Sequence, residues 1–194
     1  MARAAAAMGG QHLLDRAAAI GWVGAAEVAT PERTVRLGIR ARLEPFGRVR
    51  SESWMMNEGT PTTRTMIIEP DGGWTERDGK RTALPAHELR HQREQYGLYG
   101  YMLLRAPTAA AGNRLLAARP GLPPVSFETD ADGRLSAANY TVFAPDGGEV
   151  IQERFTFDGT VTASGLRWPR RLRIAQNGVP FYTFVIDRFM VELR

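Results

Sequence analysis

Hydrophobic spacing divides the chain into a helical start, two strand-rich stretches and a helix between them. Residues 3–18 (RAAAAMGGQHLLDRAA) are mostly Ala, Leu, Gln and Arg, good helix formers, and predict an N-terminal helix interrupted at Gly9-Gly10. After Ile20 the chain turns to short runs rich in Val, Ile, Thr, Trp and Met, which predict strands over 20–30, 33–44, 47–56, 62–69, 73–77 and 80–83. Pro31, Pro45-Phe46-Gly47, Asn57-Glu58-Gly59, Asp71-Gly72-Gly73 and Asp78-Gly79 separate them. Residues 85–104 then read as a helix, with Pro85 in its first turn, Glu88 near its positive end and an apolar stripe of Tyr96, Tyr99, Met102 and Leu103. A loop rich in Ala, Gly and Pro spans 107–124, with a short helix at 112–118. Strands resume over 124–129, 135–144, 148–157, 160–176 and 179–193.

The turns decide the topology. Asp132-Gly133, Asp146-Gly147, Asp158-Gly159 and Asn177-Gly178 supply the positive φ angles of tight hairpins, so neighbouring strands run as an antiparallel meander. Strands do not alternate with helices, which argues against a parallel doubly wound sheet. A single sheet of ten or eleven strands curls through its own twist, and only two helical stretches are available to cover it. The expected fold is therefore mostly β (α+β), a curved antiparallel meander forming an open half-barrel. The N-terminal and central helices lie on its concave side. No Gly/Ser linker interrupts the chain, so residues 1–194 read as one domain.

Composition narrows the chemistry. With 43% apolar and 24% charged residues the chain resembles a soluble globular protein, and no window approaches 18 uninterrupted apolar residues. The absence of cysteine removes disulfides, Cys-ligated zinc, iron–sulfur clusters and thiol catalysis. The net charge of +4 does not by itself indicate nucleic acid. Lys80 is the single lysine among 25 cationic residues, and the arginines are scattered among 21 carboxylates. The densest patch, Arg167, Arg170, Arg171 and Arg173, falls in a predicted strand, whereas a nucleic-acid binder concentrates its charge on one face, often beside aromatic platforms, so no nucleic-acid partner is expected. Arg-rich strand faces leave room for peripheral contact with anionic lipid headgroups, although an ordinary solvated surface has the same appearance.

One catalytic motif occurs. His87-Glu88-Leu89-Arg90-His91 satisfies H-E-x-x-H, in which two His at i and i+4 grip zinc and the Glu activates a bound water. Its setting is poor for that purpose. The pair falls in the first turn after Pro85, and Arg90 and Arg93 flank the second His. Position 94 is Glu, position 97 is Gly, and a third ligand would have to be a distant Glu128, Glu149 or Glu153. His12 is isolated in the first helix. A zinc hydrolase built on His87, Glu88 and His91 remains the enzymatic alternative. No nucleophile elbow, phosphate-binding loop or dinucleotide fingerprint is present, and no cofactor is implied.

Large apolar side chains on the predicted strands carry more information. Trp54, Met56, Met66 and Ile68 occupy alternate positions of their strands, and Trp74 and Trp168 lie on others. The plain interpretation is core packing beneath the helices. The functional one is an apolar cavity between curved sheet and helix, lined by Trp54, Met56, Met66, Ile68, Trp74, Tyr99, Met102 and Trp168.

Two stretches also resemble a known family. Met8-Gly9-Gly10, Leu13-Leu14 and Ile20-Gly21-Trp22 with Gly24 are similar to the start of mature periplasmic outer-membrane lipoprotein carriers of the LolA type. Gly165-Leu166, Trp168-Pro169, Leu172, Ile174, Gly178, Pro180, Phe184 and Ile186 resemble that group's last hairpin, and the Trp74 strand before the 85–104 helix stands where such proteins place theirs. The resemblance implies an open barrel with a helical lid, an apolar interior, a lipid or lipoprotein acyl chain as partner, and a periplasmic address. It transfers no catalytic residues. The Ala-rich start is too short and polar for a complete signal peptide, which fits either a cytosolic chain or an exported one whose leader has been removed. The expected function is thus non-enzymatic shielding of an apolar ligand, with a structural or interaction domain as a further alternative.

Overall fold

The computed structural model describes residues 1–106 and 108–194. Two short helices, α1 (Ala2–Ala7) and α2 (Gln11–Arg16), are separated at Gly9-Gly10, where both glycines hold positive φ. The first half of the sheet follows as β1 (Ala17–Ala29), β2 (Thr34–Leu43), β3 (Val49–Met55), β4 (Arg64–Glu69), β5 (Gly72–Arg77) and β6 (Lys80–Ala83). After α3 (Ala86–Met102) come β7 (Thr108–Ala111), β8 (Arg114–Ala117), β9 (Val125–Thr129), β10 (Leu135–Phe143) and β11 (Val150–Asp158). A small hairpin, β12 (Val161–Ala163) with β13 (Leu166–Trp168), precedes β14 (Arg171–Gln176) and β15 (Val179–Leu193).

Thirteen strands form one antiparallel sheet in the order β6-β5-β4-β3-β2-β1-β15-β14-β11-β10-β9-β8-β7. Its two ends do not meet, so the expected open half-barrel is the observed fold. The strand count exceeds expectation in two places. Residues 114–118 are good helix formers, yet Gly112-Asn113 is a two-residue hairpin turn with Ala111 opposite Arg114, and β8 pairs onward with β9. Pairing overrides propensity there, because Leu115 and Ala117 alternate into the core where a helix would scatter them. The span 160–176 is likewise three short strands, broken at Ser164-Gly165 where both residues take positive φ.

Cross-strand partners share a face. Ile20 lies opposite Leu43, Trp22 opposite Ala41, Leu43 opposite Val49, and Val49 opposite Ile68. On the other side Trp22 meets Phe189, Leu172 meets Phe184, and Phe155 meets Ala138. This continuous apolar surface is the concave face. The Trp22 ring packs 4.8 Å from Tyr99 of α3, and Gly73 lies beneath Leu89. Ala4, Ala5, Met8 and Leu14 of the N-terminal helices join the same core.

α3 is fastened to the sheet by polar groups. β9 pairs with β10 only as far as Asn139, which leaves the backbone of the last residues of β10 uncovered on that side. α3 covers it: His91 Nδ1 donates to the Phe143 carbonyl (2.6 Å), and the Phe143 N–H donates to Glu94 (2.8 Å). Arg90 bonds Glu94 at 3.0 Å while its guanidinium lies 3.2 Å above the Phe143 ring. Deeper inside, Glu153 accepts from Tyr140, Gln95 and Gln176, each at 2.8 Å. The carboxylate is almost fully buried and held by neutral donors, so its position depends on all three.

The convex face carries the charge. Arg42 of β2 reaches across β1 to form a two-pronged bond with Glu192 of β15, both contacts 2.7 Å, over the small residues Ala19 and Gly21. The guanidinium holds the Glu192 carboxyl below its usual range.

Two predictions follow from these ties. Glu94→Ala leaves the Phe143 N–H without an acceptor and is expected to lower the urea-unfolding free energy by about 1–3 kcal/mol. Glu94→Gln, which keeps an acceptor, loses less, and His87→Ala changes stability by no more than about 0.5 kcal/mol. A depressed carboxylate pKa contributes stability above the normal carboxylate range and loses it as pH falls through the folded value. Glu192→Gln is therefore expected to be less stable than wild type at pH 7, by no more than about 1 kcal/mol for so exposed a pair. Unfolding curves of the two proteins should converge on acidification below about pH 4.

Candidate functional site

The space between sheet and helix is a cleft of about 280 Å³. Val49 of β3 and Ile68 of β4 form its floor, and Tyr96 and Gly97 of α3 form one wall. The other wall comes from two loops that meet over the helix. Phe46, in the β2–β3 turn, presses on Gly100, where an added Cβ would stand 2.7 Å from the ring. Leu122, in the β8–β9 loop, occupies the corresponding gap at Gly97, at 3.0 Å. Glycines inside a helix cost stability, and these two are explained by the side chains they admit. Phe46 itself holds φ at 58°, unfavourable for a bulky residue. Its edge-on contact with Tyr101 (5.0 Å) and the Arg119 guanidinium 4.3 Å above its ring keep it there.

The rim is polar and the depth is aromatic. Arg93 donates to the carbonyls of Glu69 (2.7 Å) and Pro70 (2.9 Å), tying α3 to the end of β4. Burial pushes the Tyr96 phenol up, opposed by its hydrogen bond with Ser51, and raises Tyr99 well above the usual range. Both therefore remain protonated at neutral pH. From Tyr96 the rings continue inward through Tyr99 (5.9 Å) to Trp22 and Trp168. Trp168 stacks on Phe189 at 5.5 Å. An opening with apolar walls and a polar rim is suited to holding a chain of methylenes.

The eight residues expected around a cavity divide between the two faces. Ile68 lines the cleft, Met66 lies beside it on the concave face, and Tyr99, Met102 and Trp168 stand in the packed interior behind it. Trp54, Met56 and Trp74 do not join them. Trp54 pairs with Gly38 on the convex face and lies over it, since a Cβ at Gly38 would fall 2.1 Å from the indole. Met56 lies beyond the end of β3 and is 48% exposed. Trp74 pairs with Ile67 on the convex face, its ring covered by Arg81 at 3.3 Å and its N–H bonded to Glu76. Alternation along one strand fixes a face only relative to that strand, and the register sets positions 54 and 66 on opposite sides.

The H-E-x-x-H residues are otherwise engaged. His91 is buried against Phe143, Glu88 reaches Arg64 at 3.4 Å, and His87 is exposed beside Gly147. Glu128 is bonded to Arg154, which holds its carboxyl low, and Glu153 serves the interior tie described above. Among the described residues no group of three or more His, Asp or Glu is placed to hold a metal ion. Phe46, Arg119 and Leu122 are the contributors that sequence reasoning missed. The two glycines of α3 are the signal that points to them.

Among the described residues no helix is long and apolar enough to cross a membrane. No family model matches the sequence, and no curated protein does. Solved structures do match in fold. A DUF1329 family protein from Desulfovibrio piger superposes with a TM-score of 0.60 at 8% identity, covering 94% of this chain and 89% of its own. A domain provisionally described as an outer-membrane lipoprotein-sorting protein, from Vibrio parahaemolyticus, gives 0.56 at 6% identity, covering 90% and 85%. A LolA superfamily protein from Nitrosomonas europaea gives 0.53 at 10% identity, covering 96% and 94%. The chain thus has the open antiparallel half-barrel fold of the LolA-type proteins.

Proposed function

We propose that this protein is a non-catalytic binder that shields part of an apolar chain, from a lipid or a lipoprotein acyl group, between its concave sheet and α3. The observation that carries this reading is the cleft floored by Val49 and Ile68 and walled by Tyr96, Gly97, Phe46 and Leu122. Its volume lies just under the roughly 300 Å³ at which small-molecule sites begin, which suits a chain segment rather than a whole lipid. Each methylene moved out of water contributes about 0.8 kcal/mol, so a few of them suffice for useful retention. The fold supports the same role, since neighbours that share it are described as lipoprotein-sorting and LolA superfamily proteins. A location outside the cytoplasm belongs to this proposal, as does treating residues 1–194 as one working unit.

Native mass spectrometry of the purified protein and displacement of a fluorescent, uncharged long-chain alcohol test the proposal together. Wild type is expected to carry a lipid mass or to bind the probe. Val49→Phe fills the cleft from its floor and is expected to lose binding while melting as one cooperative unit. Trp54→Ala, altered on the opposite face, is expected to bind as wild type does. Equal binding by Val49→Phe and wild type, or no binding by wild type, would overturn it.

A further inference from the structure

A second and larger cleft, about 430 Å³, opens where the β12–β13 hairpin meets the end of α1 and the β9–β10 turn. It lies away from the concave cleft and shares none of its lining residues. Its apolar surface comes from Met8, Leu135, Trp168 and Pro169, the first three almost completely buried. The Trp168 indole N–H is buried and has no hydrogen-bond partner, the kind of unsatisfied donor that native interiors rarely keep.

The charge around this opening is unbalanced. Arg134 is committed to Asp130 and Asp132, and Arg171 and Arg173 share Asp158. Arg167 lines the cleft and makes only a long contact with the Ala7 carbonyl, 3.5 Å. Arg170 stands next to Gly159, which lines the cleft. Neither Arg167 nor Arg170 has a carboxylate partner among the described residues. An apolar hollow of ligand size with an uncommitted guanidinium at its edge matches a molecule with one anionic head and a hydrocarbon tail.

We propose that this cleft is a second binding site, for an anionic amphiphile whose carboxylate or phosphate head meets Arg167 and whose chain lies against Met8, Leu135, Trp168 and Pro169. The site is independent of the concave cleft, so either proposal can fail while the other stands. The probe is monomeric dodecyl phosphate, titrated calorimetrically into the full chain and into Val49→Phe, with inorganic phosphate and dodecyl maltoside as controls. Saturable binding is expected in both proteins, weakening as salt rises. Arg167→Glu alters an exposed side chain and is expected to weaken binding roughly tenfold or more without changing the melting temperature. Thr160→Trp, which blocks the exposed edge of the opening, is expected to abolish it. The proposal is overturned if wild type does not bind, if both variants bind normally, or if Val49→Phe alone removes the site. Equal affinity of Val49→Phe for inorganic phosphate or for the maltoside would overturn it too, the first indicating a bare anion contact and the second a general apolar surface.

Discussion

The whole sheet hangs on one ladder, the pairing of β1 with β15. These are the two longest strands, 13 and 15 residues, and every other strand of the large sheet is reached through one of them. β1 to β6 form a meander on one side, and β14, β11, β10, β9, β8 and β7 form a second on the other. Only the central ladder fuses the two halves into one curved surface. It brings Trp22 opposite Phe189 and Ala26 opposite Phe184, and so creates the aromatic floor on which α3 rests. The convex bond from Arg42 to Glu192 spans the same junction. Residue spacing along the ladder is interrupted between Val23 and Gly24, where the register shifts at Asp187 and the curvature is taken up.

α3 depends on this surface and completes it. A helix laid over an open sheet has to satisfy backbone groups where a strand ends early. His91 and Glu94 do so for the last residue of β10, while Gln95 reaches inward to Glu153. The pattern that resembles a zinc motif is therefore occupied by architecture. Two histidines four residues apart do share a helix face, but the structure gives one of them a backbone partner and leaves the other in solvent. A motif states which side chains are neighbours along a helix and nothing about what lies opposite.

Most of the fold was legible because its signals are local. Asp-Gly and Asn-Gly pairs mark hairpins, alternating apolar residues mark strands, and Gly9-Gly10 marks the helix break. Residues 112–118 were misleading because Ala and Leu favour a helix while Gly112-Asn113 makes a hairpin, and local propensity is the weaker of the two once β9 offers a ladder. The site was legible only in part, since it depends on register. Met66 and Ile68 were placed with Trp54 and Met56 by alternation alone, yet the sheet turns the second pair outward. Phe46, Arg119 and Leu122 lie in loops far apart in sequence, and no periodicity links them. What ties them to the cleft is space left by missing side chains, at Gly97 and Gly100.

The central ladder also has a bearing on how the chain comes to be made. Because β15 follows every other strand of the sheet in sequence, the first half of the protein emerges during synthesis with the long edge of β1 unpaired and half of the aromatic floor missing. Nothing local can fill that edge, since its partner lies far downstream, 176 positions away at Leu193 opposite Ala17. A partly made chain is consequently an open, adhesive surface, and the native sheet becomes accessible only once β15 has been made. Until then the two meanders lack the ladder that joins them, so the curved aromatic floor is the last part of the molecule to be completed.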